Sequence, residues 1–165
     1  MCQASRPLTP PNRAAWGSLV RLRPYRPEDI EAILRVEEES FPPRQRYTPE
    51  TFDYLLSLRG SFMIVAEEDG EVAGYALGYV EGRGVGHLAS LAVRPAFRRR
   101  GIASALLAEA ERVLKGEGAV AVKLEVRETN YPAINLYLKF GYRPARRLPR
   151  YYGDEDGILM VKVLA

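Results

Sequence analysis

The chain has 165 residues, 47% of them hydrophobic and 27% charged, which is the make-up of an ordinary globular protein with enough length for one domain and its core. A net charge of +3 is too mild to argue for nucleic acid or an acidic membrane as partner, and no apolar run approaches the ~20 residues of a membrane span. One cysteine and one histidine leave no intramolecular disulfide and no structural zinc site.

In chain order, residues 1–17 read as a flexible, proline-bearing N-terminal tail without the apolar centre of a signal peptide, which makes Cys2 a poor nucleophile and points to the cytoplasm. Residues 18–165 are expected to form a single domain. A short strand at 19–22 ends at Pro24. Pro27 opens a helix with the stripe Ile30, Ile33, Leu34 and Phe41, stopped by Pro42 and Pro43. Thr48 caps a second helix running to Leu58. Residues 62–67 and 72–80 are strands joined by the hairpin signal EEDGE, and a third strand covers 87–93 before Pro95. A helix starts near Gly101, 120–127 alternates as a strand, 131–140 is helical, and 143–164 forms two strands around the turn DEDG. Strands that first meander and then alternate with helices give a mixed, partly parallel α/β sheet of six to seven strands flanked by about four helices.

The turn before the third helix is electrostatically odd. Helix N-termini carry partial positive charge and favour carboxylates, yet here stand Arg98, Arg99 and Arg100 with no acid nearby in sequence. Of the charged side chains, 20 are arginine and 4 lysine, and the arginines cluster at 98–100 and 143–150. A GC-rich genome or a thermophile's surface accounts for many of them, and a solvated basic turn is the plain alternative at this position. An anion answers the puzzle better. Guanidinium groups and free helix N–H groups both bind one, and Gly101 lets the backbone approach it closely. The segment is neither a Walker A loop nor a dinucleotide fingerprint, because GRGVG at 82–86 precedes a strand.

Arg98-x-x-Gly101-x-Ala103 resembles the [QR]-x-x-G-x-[GA] segment of the GNAT superfamily of acetyl-CoA-dependent N-acetyltransferases. With HLASLAVRPAFRRRGIASALL, LEVRETNYPAINLYLKFGY and RYYGDEDGILM in that order, the chain resembles, over residues 19–164, the branch that acetylates protein N-termini, both RimI-type and archaeal. The resemblance implies a GNAT-like fold and acetyl-CoA as the donor, without a metal. It implies that Arg98 to Ser104, through Arg99, Arg100, Gly101, Ile102 and Ala103, hold the coenzyme A pyrophosphate, with Leu91, Ala92, Val93 and Asn130 also against the cofactor. It makes Glu125 the base, with His87 as second candidate, and Tyr137 the proton donor to the sulfur. Read without the resemblance, Glu125 belongs to a ladder of alternating charges with Lys123 and Arg127, and Tyr137 shares a core face with Ile134 and Leu138.

The acceptor site is expected from Phe41, Pro42 and Tyr47 in the loop FPPRQRY and from Tyr151 and Tyr152 in RYYGDEDG. The first loop departs from the L-P-E-N-Y of many archaeal and eukaryotic relatives, which leaves the preferred first residue open. The resemblance implies a protein or peptide N-terminus as acceptor, with the ribosome or a ribosomal protein as partner, no specific nucleic acid, no membrane, and a monomer or weak homodimer. Acetylation of a lysine or small amine is the alternative chemistry, and a phosphate-binding module or an acetyl-CoA sensor the alternatives from other classes.

Overall fold

A computed structural model describes residues 20–165. The expected tail, Cys2 and the first residue of the expected opening strand lie outside the described residues. Seven strands form one sheet: β1 (Val20–Pro24), β2 (Phe62–Glu68), β3 (Glu71–Glu81), β4 (Val85–Val93), β5 (Ala121–Arg127), β6 (Arg143–Leu148) and β7 (Gly157–Val163). Their order is β1-β2-β3-β4-β5-β7-β6. Four helices accompany them: α1 (Ile30–Ser40), α2 (Pro49–Leu56), α3 (Ile102–Gly116) and α4 (Tyr131–Lys139).

Strand alternation splits the core. Met63, Val65, Tyr75 and Leu77 face Ile33 and Val36 of α1 and Phe52 of α2. Their sequence neighbours Ile64, Ala66 and Ala76 face the other way, against Leu106, Leu107, Ala110 and Leu114 of α3. β2 and β3 are therefore buried on both faces and read as nearly continuous apolar runs. At the far edge β6 is almost wholly exposed, and its Pro144 sits beside a bulge, where a missing N–H is tolerated.

Among the described residues the only parallel pair is β4 with β5, joined by the α3 crossover, and it extends over three residues, Val85–His87 against Ala121–Lys123. Beyond that point the strands part. β4 also carries a bulge: Leu77 pairs with Ser90 and Gly78 with Leu88, so Ala89 is the extra residue.

Several boundaries differ from the sequence reading. Residues 27–29 form a separate 3-10 turn, held where Asp29 accepts the Arg26 N–H at 2.8 Å and the Arg23 guanidinium at 2.7 and 2.8 Å. The second helix ends at Leu56, where the Ser57 hydroxyl competes by donating to the Tyr54 carbonyl at 2.6 Å. β4 begins at Val85, two residues before His87. The connection between β6 and β7 spans 149–156 and so reaches well beyond the expected DEDG turn. Leu138 is 37% exposed, because α4 packs through Ala133, Leu136, Tyr137 and Phe140 instead. Among the described residues no helix is long and apolar enough to cross a membrane.

Candidate active site

Two cavities open where β4 and β5 part. One, of about 650 Å³, runs from Leu91, Ala92 and Val93 to the first turn of α3. The other, of about 460 Å³, is walled by residues 40–42 and 44–47, Glu125, Arg127, Tyr151 and Tyr152. They share Ser40, Phe41, Leu91, Asn130, Ala133 and Tyr137, so the two spaces meet at the Tyr137 side chain. Each volume lies within the range of small-molecule sites.

The first cavity is shaped for an anion at its α3 end. Gly101, the N-cap residue, is left-handed at φ 75°, no side chain caps the helix, and its first turn holds no acid. The Ala105 N–H donates to the Gly101 carbonyl at 3.0 Å, which leaves the N–H groups of Ile102, Ala103 and Ser104 without a partner inside the helix. A Cβ at position 101 would meet nothing within 4 Å, so the backbone there is open to close approach. Arg99 turns the chain with φ 63°. Arg98 and Arg99 line the cavity, whereas Arg100 does not. Arg100 instead pairs with Glu68, buried at the end of β2, and its guanidinium lies over the Phe97 ring. A carboxylate far away in sequence thus accounts for one of the three arginines.

Strand geometry supplies further donors. The Arg94 N–H donates to Ala73 on the β3 side at 2.8 Å. By alternation the N–H groups of Val93 and Leu91 point the opposite way, toward the gap left by β5. The Val93 carbonyl on that edge accepts the Arg98 Nε at 2.9 Å, which agrees with this orientation. Asn130 caps α4 by accepting the Ala133 N–H at 3.3 Å, with Pro132 in the first turn. Tyr137 is buried, and that burial pushes its phenol well above the usual value near 10.

In the second cavity Glu125 stands on β5 with its Oε2 2.7 Å from His87 Nε2. His87 is itself behind the wall, with Nδ1 2.7 Å from the Tyr79 hydroxyl. Opposite, Glu37 of α1 is buried at 1% exposure, accepts the Tyr47 N–H at 2.8 Å and is hydrogen-bonded by the Tyr75 hydroxyl. Burial raises its pKa, against the lowering by those two donors. Tyr75 also reaches Ser90 at 2.9 Å, and Tyr47 donates to the Ala89 carbonyl at 3.2 Å, so this cluster fixes that wall of the cavity to the β4 bulge. The Arg127 guanidinium lies 4.6 Å over the Tyr152 ring and is held by Glu155 at 2.8 Å, Asp154 at 3.2 Å and Gln45 at 3.1 Å. It ties together the two loops that bear Tyr47 and Tyr151.

The pattern of the acetyltransferase (GNAT) family matches residues 29–142. The chain belongs to the GNAT acetyltransferase family. It is similar to an N-alpha-acetyltransferase of Sulfolobus acidocaldarius, 36% identical over 149 residues that cover 82% of this chain and 88% of that protein. Among solved structures it resembles Ard1 from Thermoplasma volcanium, with a TM-score of 0.83 and 28% identity over 88% of this chain and 98% of that one. It also resembles the ribosomal-protein-S18-alanine N-acetyltransferase from Escherichia coli, with a TM-score of 0.80 and 26% identity over 89% and 95% of the two chains.

Of the residues singled out from the sequence, the structure brings Glu125, Tyr137, Asn130, Phe41, Pro42, Tyr47, Tyr151 and Tyr152 to one pair of cavities, and places Leu91 to Val93, Arg98, Arg99 and Gly101 to Ser104 along the first. Sequence reasoning missed Glu37 and the clamp made by Arg127. Glu37 continues the stripe Ile30, Ile33, Leu34, and a carboxylate at a core position of a helix is a signal that could have found it. Among the described residues no group of three or more His, Cys, Asp or Glu is placed to hold a metal ion.

Proposed function

We propose that this GNAT enzyme transfers the acetyl group of acetyl-CoA to the α-amino group of a protein or peptide N-terminus, the two substrates entering by separate cavities and meeting beside Tyr137. The observation that carries this reading is that junction: one cavity ends in an uncapped, acid-free helix N-terminus suited to a pyrophosphate, and the other presents a carboxylate. The names of the relatives support an α-amine. An alanine of a ribosomal protein is the acceptor in the name of the Escherichia coli relative, and a ribosomal protein is a partner of the kind this reading admits.

The open space at Gly101 and the three unpartnered N–H groups fit the pyrophosphate, with Arg98 and Arg99 adding charge. Acetyl-CoA when bound supplies an activated acyl group as a thioester. The N–H groups of Leu91 and Val93 face the gap and serve as donors for a carbonyl oxygen there. Glu125 takes the proton of the amine, directly or through one water. An α-amine with a pKa of about 8 gives up that proton cheaply near neutrality, so a modest base suffices. Tyr137, kept protonated by burial, donates to the departing sulfur. Tyr47, Tyr151 and Tyr152 hold the peptide.

The test is mass spectrometry of short peptides incubated with the enzyme and acetyl-CoA, varying the first residue and including an α-blocked peptide with an internal lysine. Acetylation confined to α-amines, and lost in Glu125→Gln, is expected. Modification of the blocked peptide would move the enzyme to side-chain or small amines.

A further inference from the structure

The carboxylate in the acceptor cavity is one end of a row of polar groups that continues away from it. Behind Glu125, His87 stands between two acids: its Nε2 is 2.7 Å from Glu125, and its Nδ1 is 2.7 Å from the Tyr79 hydroxyl and 3.6 Å from Glu81 Oε1. Glu81 in turn holds the Lys123 ammonium at 2.9 Å. Register produces the row. His87 is the Cα partner of Tyr79 on β3 and of Lys123 on β5. Glu81 and Glu125 each lie two positions along from those partners and therefore on the same face. Side-chain exposure rises along it, from 16% at Glu125 and 14% at His87 to 36% at Glu81.

Building on the function proposed above, we infer that Glu81 is a positioning residue for the transfer reaction: acting through His87, it stabilises the proton taken from the acceptor amine and gives that proton an outlet to water. The ammonium N–H bond breaks and the proton is held by the Glu125–His87 pair as carboxylate and imidazolium, with Nε2–H toward Glu125 and Nδ1–H toward Tyr79 and Glu81. The Tyr79 hydroxyl donates to Nδ1 when the ring is neutral and accepts from it when the ring is charged, which one phenol can do. The proton then leaves from Nδ1 by way of the partly exposed Glu81, and the neutral ring is restored. One proton enters and one leaves.

The charge on His87 is set by few groups. Glu81 and Glu125 favour the imidazolium and Lys123 opposes it. The phenols of Tyr47, Tyr79, Tyr151 and Tyr152 also lie around the row, and burial raises the pKa of each, which keeps them neutral at the pH of the reaction. Arg127, next along that face of β5, is engaged by Asp154 and Glu155.

The experiment is the pH profile of kcat/KM for acetylation of an N-terminal peptide by the full chain, with melting curves to confirm that each variant is folded. Glu81→Gln removes the stabilising charge and is expected to move the acid limb to lower pH by about half a unit to one unit, with a several-fold lower plateau from the weaker base. Lys123→Met is expected to move the limb the opposite way, and Glu81→Asp to restore it. In a His87→Asn background Glu81→Gln should shift nothing further, which a merely structural role for Glu81 would not produce. A limb unmoved in both Glu81→Gln and Lys123→Met would assign it to the substrate amine and overturn the inference, as would an equal shift in the His87→Asn background. These failures are distinct from failure of the function itself, which would appear as wild-type enzyme inactive on α-amines or as full activity in Glu125→Gln.

Discussion

Replacing Gly101 by alanine separates what the backbone needs at the start of α3 from what a ligand needs there. At φ 75° and ψ 11° an L side chain is strained, at a cost of about 1–2 kcal/mol. The loss of glycine's freedom in the unfolded chain offsets roughly 0.4–1 kcal/mol of that. Because a Cβ at this position meets nothing within 4 Å, no packing penalty is added. The net loss of about 1 kcal/mol lowers the melting temperature by roughly 2–4 °C for a chain of this size. The functional cost is larger. The added methyl occupies the open space through which a pyrophosphate would reach the N–H groups of residues 102–104, and losing one charge-assisted hydrogen bond costs about 1.5–3 kcal/mol. Affinity for acetyl-CoA should therefore fall roughly 10- to 100-fold, with the KM for peptide unchanged. Calorimetric titration with acetyl-CoA beside a thermal melt reads both numbers. A melt lowered by a few degrees with unchanged affinity would refute the anion cradle, since the backbone would have been perturbed without touching the ligand.

Gly74→Ala makes the opposite prediction, because its Cβ would collide with the Ala92 carbonyl oxygen and lie 3.1 Å from the Val93 Cα; stability should fall by about 3 kcal/mol in denaturant titration, before any effect on binding. Arg100→Gln should leave acetyl-CoA affinity within about twofold and lower stability by about 1–2 kcal/mol, since this guanidinium serves Glu68 rather than the cavity. Tyr137→Phe should lower kcat about 100-fold with little change in either KM, as expected for loss of a proton donor. Asp29→Asn should cost roughly 3 kcal/mol at pH 7 by breaking the buried bidentate contact with Arg23. That hydrogen bond holds the Asp29 carboxyl below its usual range, so the stabilisation is complete above about pH 4 and is lost as pH falls further; urea titrations should show wild type and variant converging in acid.

What could be read from the chain was what is coded locally. The strands at 62–67 and 72–80 with their EEDGE hairpin, the alternation at 120–127, and Asn130 with Pro132 at the start of α4 all emerge as read, because period, turn and cap involve neighbours only. The basic turn before α3 reads from the sequence as an anion seat for all three arginines, yet Arg100 turns away from the cavity to Glu68 on β2, and no spacing announces a contact across 32 residues. The connection between the last two strands reads from the sequence as the turn DEDG, because its residues favour one. The fold instead draws Asp154 and Glu155 toward Arg127, and Asp156 toward the Arg150 N–H, and the connection lengthens to reach them. Glu37 escaped for the opposite reason. Its helical stripe was found, and the charge within it was not asked about.

The parting of β4 and β5 is the feature on which both cavities depend, and its cost is confined to one edge of each strand. β4 stays paired to β3 as far as Val93, and β5 is paired to β7 over its whole length, from Ala121–Val163 to Arg127–Gly157. Neither strand therefore needs the other for order, and three shared pairs are enough to fix their relative height. The parallel direction follows from α3, a crossover whose first turn must return to the end of β4 and so delivers its free N–H groups to the gap. α4 follows β5 in the same way and delivers Asn130 and Tyr137 from the opposite wall. A buried unpaired N–H costs about 1–3 kcal/mol, which is tolerable here because those of Leu91 and Val93 open onto a water-accessible cleft. Donors that a closed sheet would have consumed are thus left facing the point where the two cavities meet.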